Sequence, residues 1–270
     1  MKKVLLINDI AGYGKVGMAA MLPILSYMGL PAFNLPTMLV SNTLNYGHYA
    51  QLDTTEYMRQ TLPVWKQLGF HFDAICTGLM FNPDQASLVA DFCRQQALSG
   101  CTVYVDPVMG DSGELYHGMT EEQVVLSRQM LSVAHVAKPN YTEACLLAGQ
   151  PYRSEGISRT EAVDLLDRLV AMGARSVIIT SCVVDGQHQV CGYDGVGHSY
   201  FFNTYEVIPG LFHGTGDIFS AVLIGTMESG KSLADSARRA MDVVSSMIDR
   251  NRDVDDGLCG IFIERCLDLL

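Results

Sequence analysis

The sequence lacks the features that would place it among membrane or nucleic-acid-binding proteins. No apolar stretch approaches the ~18 consecutive residues of a membrane span. Lysine and arginine form no run, and the formal net charge is -11. Nucleic acid and anionic membrane surfaces are therefore poor partners. The apolar run that follows the basic start ends at Asn8, which is too soon for a signal peptide.

Paired cysteines are missing as well. The eight cysteines are scattered, form no CxxC motif and fall mostly inside apolar segments, as the reduced cysteines of a core do. The seven histidines show no metal-ligand spacing. We therefore expect a cytoplasmic protein with reduced cysteines.

No linker, low-complexity tract or internal repeat divides the chain, so we expect one domain over residues 1–270. Strand-like runs alternate with helical patterns, which predicts an α/β fold with a mainly parallel sheet covered on both faces. Strands are predicted at 3–8, 31–40, 73–77, 102–105, 134–137 and 177–180, with a hairpin over 187–205. Helices are predicted at 16–29, 54–69, from Asn82 onward, and at 120–132, 140–148, 158–172, 215–229, 232–250 and 258–269. Capping boxes are expected at Asp53 with Glu56, Asn140 with Glu143, and Ser158 with Glu161.

The most informative stretch is Gly214-Thr215-Gly216-Asp217, which opens an apolar helical segment. A glycine-rich turn that runs into a helix directs several backbone N–H groups and the positive end of the helix dipole at one spot, where an anion can bind. Asp217 would repel a phosphate there unless its role is to take a proton from the attacking group. The stretch therefore indicates phosphoryl transfer, with Asp217 as general base. The alternative is an ordinary helix start with Thr215 or Asp217 as N-cap.

Other polar groups follow predicted strands and should gather at the carboxyl edge of the sheet. Asp106 and Asp111 flank a rigid Pro107 turn, and two carboxylates near a phosphate suit Mg²⁺. An Asx-type turn is the alternative for this segment. Glu143 could cap its helix and still face metal-bound water. The remaining groups at this edge are Asp9, Thr77-Gly78, Lys138 to Asn140, and Thr180-Ser181, which could donate to phosphate or simply end a strand.

The glycine cluster Gly12-Tyr13-Gly14-Lys15-Val16-Gly17 has the GxGxxG pattern of dinucleotide-binding turns. That fingerprint also requires an acid about 20 residues further on, and no Asp or Glu lies between Asp9 and Asp53. We therefore interpret the cluster as a flexible turn that approaches a small substrate.

Taken in order, the motifs resemble those of the pyridoxal kinases, in the vitamin-kinase branch of the ribokinase-like superfamily. The resemblance extends from the first strand to about residue 250 and rests on Ser41-Asn42 with Tyr46-Gly47, Asp106-Pro107-Val108-Met109-Gly110-Asp111, Pro139-Asn140 with Glu143, Thr180-Ser181, and Gly214 to Asp217. It implies a three-layer α/β/α sandwich, usually a homodimer, that transfers the γ-phosphoryl group of ATP to a hydroxymethyl group with Mg²⁺, often helped by K⁺.

The same resemblance implies roles for single residues. Asp217 would be the base, and Gly214, Thr215 and Gly216 would form the anion hole. Asp106, Asp111 and Glu143 would surround the phosphates and the metal, with Asp111 and Glu143 as its ligands. The ATP site would add Tyr116, Asn140, Thr180 and Ser181, and the substrate site would comprise Asp9, Gly14, Ser41, Asn42, Leu44 and Leu79.

Four departures from the family pattern fall mainly on the substrate side. Asp9 stands where these kinases commonly have Ser against the pyridine nitrogen, and Leu44 lies in a stretch that usually reads Ser-Asn-His-Thr. Leu79 replaces an aromatic residue, and Lys138 stands where Thr is frequent. The kinase class is therefore better supported than the identity of the vitamin.

We expect an ATP-dependent kinase acting on the 5'-hydroxymethyl group of pyridoxal, pyridoxine or pyridoxamine. A hydroxymethylpyrimidine kinase is the first alternative and a small sugar kinase the second. A ligand sensor without turnover is a further alternative from a different class, against which the intact Asp217 argues, because a sensor needs no base.

Overall fold

The computed structural model describes residues 1–210 and 212–270. The chain divides into two compact units. Unit 1 comprises Met1–Cys76 and Ile208–Leu270, and unit 2 comprises Thr77–Val207. Unit 1 is thus built from both ends of the chain, which passes into unit 2 and returns. The organisation as one domain stays a prediction.

The secondary structure follows the predicted strand–helix alternation. The strands are β1 (Val4–Ile7), β2 (Ile10–Tyr13), β3 (Ala32–Asn34), β4 (Met38–Asn42), β5 (Gln51–Asp53), β6 (Ala74–Thr77), β7 (Thr102–Val105), β8 (Gly110–Asp111), β9 (Glu114–Leu115), β10 (Val136–Ala137), β11 (Ser176–Val184), β12 (Gln187–Asp194) and β13 (Ser199–Thr204). The helices are α1 (Met18–Tyr27), α2 (Thr55–Gln67), α3 (Pro83–Leu98), α4 (Glu121–Leu131), α5 (Tyr141–Ala148), α6 (Arg159–Ala171), α7 (Thr215–Glu228) and α8 (Leu233–Arg250).

In unit 1, β6, β1 and β3 lie side by side in that order, and β1 pairs with β3 in parallel. All four residues of β1 are fully buried, as expected of a short apolar strand covered on both faces. A second sheet of three strands has the order β2-β4-β5, in which β2 and β4 are parallel and β5 is antiparallel. Helix α7 packs against both α1 and α8 in this unit.

In unit 2, the strand order is β13-β12-β11-β10-β7. Strands β7, β10 and β11 are parallel, and β12 and β13 extend the sheet as antiparallel neighbours. The pairing of β7 with β10 aligns Val105 with Ala137. The residues that follow these two, Asp106 and Lys138, therefore leave the sheet side by side.

Most predicted helix starts are confirmed. Asn82 accepts a hydrogen bond from the Gln85 N–H and caps α3, and capping boxes open α5 at Asn140 and α6 at Ser158. The capping box at Asp53 is wrong. Thr54 is the N-cap of α2 without a side-chain bond, because Asp53 belongs to β5 and its carboxylate accepts from the N–H and hydroxyl of Thr55.

Two further predictions are corrected. The extended run 31–40 forms two strands, β3 and β4, in different sheets. The helix predicted over 258–269 is replaced by two short 3-10 turns, Ile263–Arg265 and Leu267–Leu269. Gly260 has φ 90, which interrupts a helix. The side chain of the fully buried Asn251 then holds the segment by accepting from the Phe262 N–H and donating to Cys266 Sγ.

The expected state of the cysteines is confirmed. All eight are free thiols and are buried. Burial raises the pKa of the Cys145 thiol to about 11, so this thiol stays protonated at neutral pH. Within the described parts of the chain, no helix has both the length and the apolar character needed to cross a membrane.

Candidate active site

The glycine-rich turn before α7 has the geometry of an anion-binding loop. Gly214 is the N-cap of α7, with φ 81 and no side-chain cap bond, so the alternative of Thr215 or Asp217 as N-cap is wrong. A Cβ at Gly214 would collide with the Lys15 carbonyl oxygen. Gly216 is exposed within the first turn and lacks a positive φ. Its contribution is therefore the space that the absent side chain leaves for an anion. The first N–H groups of α7 are thus available to an anion.

Asp217 is half-buried in the first turn of α7 and is fixed from a distant part of the chain. Its Oδ2 accepts a hydrogen bond from the Gly17 N–H at 2.8 Å, and its Oδ1 lies 3.5 Å from Asn8 Nδ2. These donors orient the carboxylate, which a general base requires. Sequence reasoning did not identify Asn8 as part of this site. Its position directly after β1 was the available signal.

Asp9 follows Asn8 and is half-buried. Burial raises the pKa of its carboxyl to about 6, although a hydrogen bond with its own backbone opposes the shift. Gly17, with φ 54, packs against it, since a Cβ there would lie 2.6 Å from the Asp9 carbonyl oxygen and 2.8 Å from Oδ1. The Asp9 carboxylate is therefore partly desolvated. It lies beside Gly17, the residue whose N–H donates to Asp217.

The glycine cluster after β1 is not the flexible turn that we expected. Residues 10–13 form β2, which pairs with β4. Gly14 has φ 143, and a Cβ on it would collide with Thr43 Oγ1. A Cβ on Gly12 would lie 2.9 Å from the Ser41 carbonyl oxygen. These glycines are thus required by the chain's own packing.

Three predicted substrate residues lie in the segment that β2 contacts. Ser41 Oγ donates to Asn42 Oδ1 at 2.6 Å and accepts from the Ala50 N–H, while Asn42 Nδ2 donates to the carbonyls of Thr43 and His48. Both side chains therefore hold the loop itself in place. Leu44 is half-buried at the start of the 3-10 turn Leu44–Tyr46.

The C-terminal segment adds contacts that sequence reasoning missed. The carbonyls of Cys259 and Gly257 accept from the N–H groups of Lys15 and His213, and Tyr46 Oη donates to Asp256. This segment therefore touches both the turn after β2 and the loop before α7. A cavity of about 660 Å³ lies beside it, lined by Pro209, Gly210, Phe212, Arg252, Val254, Asp255, Asp256, Gly257 and Leu258. The motif series ends before this segment, so no sequence signal pointed to it.

In unit 2, Asp106 and Lys138 form a buried ion pair at the ends of β7 and β10. The Lys138 Nζ lies 2.9 Å from Asp106 Oδ2, and the two residues are 6% and 8% exposed. The Thr180 N–H donates to the Pro139 carbonyl, and this hydrogen bond joins β11 to the residue that follows Lys138. The predicted gathering of polar groups at the carboxyl edge is confirmed for Asp106 and Lys138, whereas Thr180 and Ser181 do not end a strand, because β11 continues to Val184.

Glu143 is 3% exposed and is held by backbone donors. Its Oε1 accepts from the Met109 N–H at 3.0 Å and its Oε2 from the Asn140 N–H at 2.8 Å. Burial, followed by repulsion from Asp106, raises the pKa of the Glu143 carboxyl, and attraction to Lys138 opposes this. Its capping role is thus observed, and it also fixes the turn after Asp106.

The β8–β9 hairpin packs against the start of α5. Asn140 Nδ2 donates to the Gly110 carbonyl at 2.7 Å, and the Gly113 N–H donates to Thr142 Oγ1. Asp111 is exposed on this hairpin and accepts from the Ser112 N–H. The described residues contain no cluster of three or more acids, histidines or cysteines able to bind a metal. A metal here would need water and phosphate oxygens beside Asp111, which is the donor set that Mg²⁺ prefers.

The remaining predicted residues occupy varied environments. Tyr116 is half-buried and its N–H donates to the Met109 carbonyl. Ser181 is exposed at an irregularity in β11, with φ 56, which is uncommon for serine. Leu79 is 7% exposed and so presents little surface to a ligand. Their roles toward ATP and substrate stay predictions.

Comparison with known proteins identifies the family. The model of the phosphomethylpyrimidine kinase family matches residues 13–261. A protein from Bacteroides thetaiotaomicron, provisionally described as a phosphomethylpyrimidine kinase and solved with pyridoxal, is 33% identical, with a TM-score of 0.93 over 99% of this chain and 95% of that one. Pyridoxal kinase from Lactobacillus plantarum is 29% identical, with a TM-score of 0.89 over 99% and 96%.

A sequence relative agrees with these structures. The pyridoxine/pyridoxal/pyridoxamine kinase of Bordetella avium is 32% identical over 82% of this chain and 76% of its own length. The α/β fold and the kinase class predicted from the motif series are thereby confirmed. The chain belongs to the phosphomethylpyrimidine kinase family, within the ribokinase-like superfamily that includes the pyridoxal kinases.

Proposed function

We propose that this protein transfers the γ-phosphoryl group of ATP to the 5'-hydroxymethyl group of pyridoxal, pyridoxine or pyridoxamine, in vitamin B6 salvage. The observation that carries the proposal is the carboxylate of Asp217, fixed at 2.8 Å by the Gly17 N–H in the first turn of α7. The Bacteroides structure solved with pyridoxal, 33% identical to this chain, supports the substrate class.

In this mechanism, Asp217 accepts the proton of the substrate hydroxyl as that oxygen attacks the phosphoryl group. The N–H groups of residues 214–216 donate to the charge that builds on the phosphoryl oxygens, and the dipole of α7 adds to this stabilisation. In unit 2, the proposed ATP-binding site comprises Asp106, Tyr116, Asn140, Thr180 and Ser181. Asp111, with Glu143 acting through water, would hold Mg²⁺, which would supply positive charge against the phosphates.

Asp9 gives the ring specificity in this proposal. A carboxylate prefers a protonated pyridine N–H, since a charge-assisted hydrogen bond is stronger than a neutral one. The pKa of Asp9, raised to about 6, still leaves it mostly ionised at neutral pH. An aminopyrimidine would satisfy the same carboxylate. Because the matching family is named for phosphomethylpyrimidine kinase, hydroxymethylpyrimidine is the second candidate substrate.

We also propose a homodimer formed through the three-stranded sheet β2-β4-β5. Leu39 and Leu52 are cross-strand partners on β4 and β5 and are 40% and 59% exposed. Side chains opposite each other in register share one face of a sheet, so this face is apolar and open. The free, buried cysteines support a cytoplasmic location.

The substrate panel and Asp217→Asn test the function together. ADP release should be fastest with B6 vitamers, slower with hydroxymethylpyrimidine and absent with ribose. Asp217→Asn should lower kcat by ~10²–10⁴-fold, because general-base catalysis contributes about that much, while ATP binding stays nearly unchanged. Asp242→Asn, an exposed acid on α8, is the matched control. A variant that keeps more than about a tenth of kcat would show that the base is elsewhere.

Metal dependence tests the unit 2 carboxylates. Activity should vanish with EDTA and return with Mg²⁺ or Mn²⁺, and both Asp111→Ala and Glu143→Ala should shift the Mg²⁺ titration to higher concentrations. Glu143→Ala should also cost about 2–3 kcal/mol of unfolding free energy, because it leaves two N–H groups without their acceptor. Glu122→Ala, an exposed change on α4, serves as control. Titration curves that coincide for all four proteins would remove both residues from the metal site.

Asp9→Asn should separate substrate binding from stability. The KM for the ring substrate should rise several-fold to about tenfold, or about 1–1.4 kcal/mol, with little change in the KM for ATP. The folded state holds the Asp9 proton more tightly than the unfolded state, so the cost of ionisation is absent below pH 3.8 and complete above about pH 6. The variant should therefore melt at a higher temperature than wild type at pH 8, and this gain should shrink at pH 5. An unchanged KM would assign Asp9 to the turn alone.

Light scattering after gel filtration tests the dimer. The wild-type protein should elute as a dimer and the double variant Leu39→Lys, Leu52→Lys as a folded monomer, because two ammonium groups would have to be desolvated at the interface. Leu98→Lys, at a residue 90% exposed on α3, should remain dimeric. A wild-type monomer at tens of micromolar protein would contradict the proposal.

A further inference from the structure

The ion pair between Lys138 and Asp106 is built into the sheet edge rather than placed on the surface. Because Val105 and Ala137 are paired in register, the two side chains leave neighbouring parallel strands at the same level. The Nζ and Oδ2 atoms are 2.9 Å apart, and the side chains are only 8% and 10% exposed. The backbone on both sides is fixed as well, since the Asp106 N–H donates to the Thr77 carbonyl and the Lys138 N–H to that of Val105.

The surrounding charges explain why an ammonium is needed there. Glu143 is a second buried acid, only 3% exposed, in the same part of unit 2 as Asp106. Both Glu143 oxygens already accept backbone N–H groups, from Met109 and Asn140. Two buried carboxylates without a cation would be strongly unfavourable. Lys138 places a positive charge directly against one of these two acids.

A monovalent metal ion does not fit beside this pair. The resemblance to the pyridoxal kinases implies help from K⁺ and a frequent Thr at the position of Lys138. In this chain, a K⁺ ion at Asp106 would have to lie against a fixed ammonium in a buried site. Two positive charges in contact with the same carboxylate repel each other strongly where the dielectric is low. The donor set around Asp106 therefore disagrees with a requirement for K⁺.

We propose that the Lys138 ammonium supplies, at Asp106, the positive charge for which related kinases use a monovalent cation, so that this enzyme needs no K⁺. Lys138 acts through Asp106 and is a positioning residue. The activity part of the proposal rests on the proposed kinase function. The stability part does not, because the buried charges exist in the ligand-free protein.

The first test uses ligand-free protein and thermal melting in KCl or tetramethylammonium chloride at equal ionic strength. The wild-type Tm should be the same in both salts. Lys138→Thr should melt about 6 °C or more below wild type in tetramethylammonium, since a buried acid has lost its partner, and should recover part of this in KCl. Lys138→Arg should be insensitive to the salt, and the exposed Lys66→Thr should behave as wild type.

The second test measures ADP release with pyridoxal in the same two salts. The wild-type and Lys138→Arg proteins should have equal kcat/KM in both, whereas Lys138→Thr should be about tenfold or more faster in KCl, the effect of about 1.4 kcal/mol of charge stabilisation. Wild-type activity or Tm that depends on K⁺ would overturn the proposal. Equal impairment of Lys138→Thr in both salts would also overturn it, because the ion pair would then have only a structural role.

The two tests fail in distinguishable ways. If no substrate is phosphorylated, the proposed function is wrong and the melting experiment alone decides the role of Lys138. Should Lys138→Thr fail to fold in either salt, Lys138→Met in the presence of KCl replaces it. Failure of that variant in KCl, with a wild-type Tm insensitive to K⁺, would show that no external cation can stand in for the ammonium and would overturn the equivalence that we propose.

Discussion

The hydrogen bond from the Gly17 N–H to Asp217 is the contact on which the unit 1 site depends. It joins the N-cap of α1 to the first turn of α7, two segments 200 residues apart. Both helix N-termini carry partial positive charge, which favours a carboxylate between them. The left-handed backbone of Gly17 (φ 54) sets the direction of that N–H. The carboxylate that we propose as the base is thus positioned by backbone geometry, which resists rearrangement better than a flexible side chain would.

The same constraint explains the glycine pattern that mimics a dinucleotide-binding turn. Gly17 contacts Asp9, Gly12 contacts Ser41 and Gly214 contacts Lys15, in each case through backbone atoms that a Cβ would approach too closely. In dinucleotide-binding proteins, such glycines make room for a pyrophosphate. In this chain, they make room for neighbouring strands and loops. The same glycine spacing therefore arises for two different reasons, close approach of a pyrophosphate or close approach of the chain's own backbone. In the sequence, only the presence of an acid about 20 residues further on distinguishes the two.

Local chemistry was predictable from the sequence, and long-range pairing was not. The caps at Asn82, Asn140 and Ser158 follow from residues three positions apart, and the glycine turn that opens α7 follows from four consecutive residues. The sheet β2-β4-β5 was missed because short strands depend on partners rather than on their own pattern. The contacts of the C-terminal segment were missed for the same reason, since Tyr46 meets Asp256 across 210 positions.

Glu143, Asp106 and Asp9 show three ways of keeping a carboxylate inside a protein. Glu143 is satisfied by two backbone N–H groups and Asp106 by an ammonium, and both arrangements are complete without a ligand. Asp9 has only a hydrogen bond with its own backbone, and burial raises its pKa to about 6. Natural proteins rarely retain such a cost unless activity requires it. Of the three acids, Asp9 is the one without an ammonium or a pair of backbone donors, and a cationic ring is the partner that the proposed function would supply.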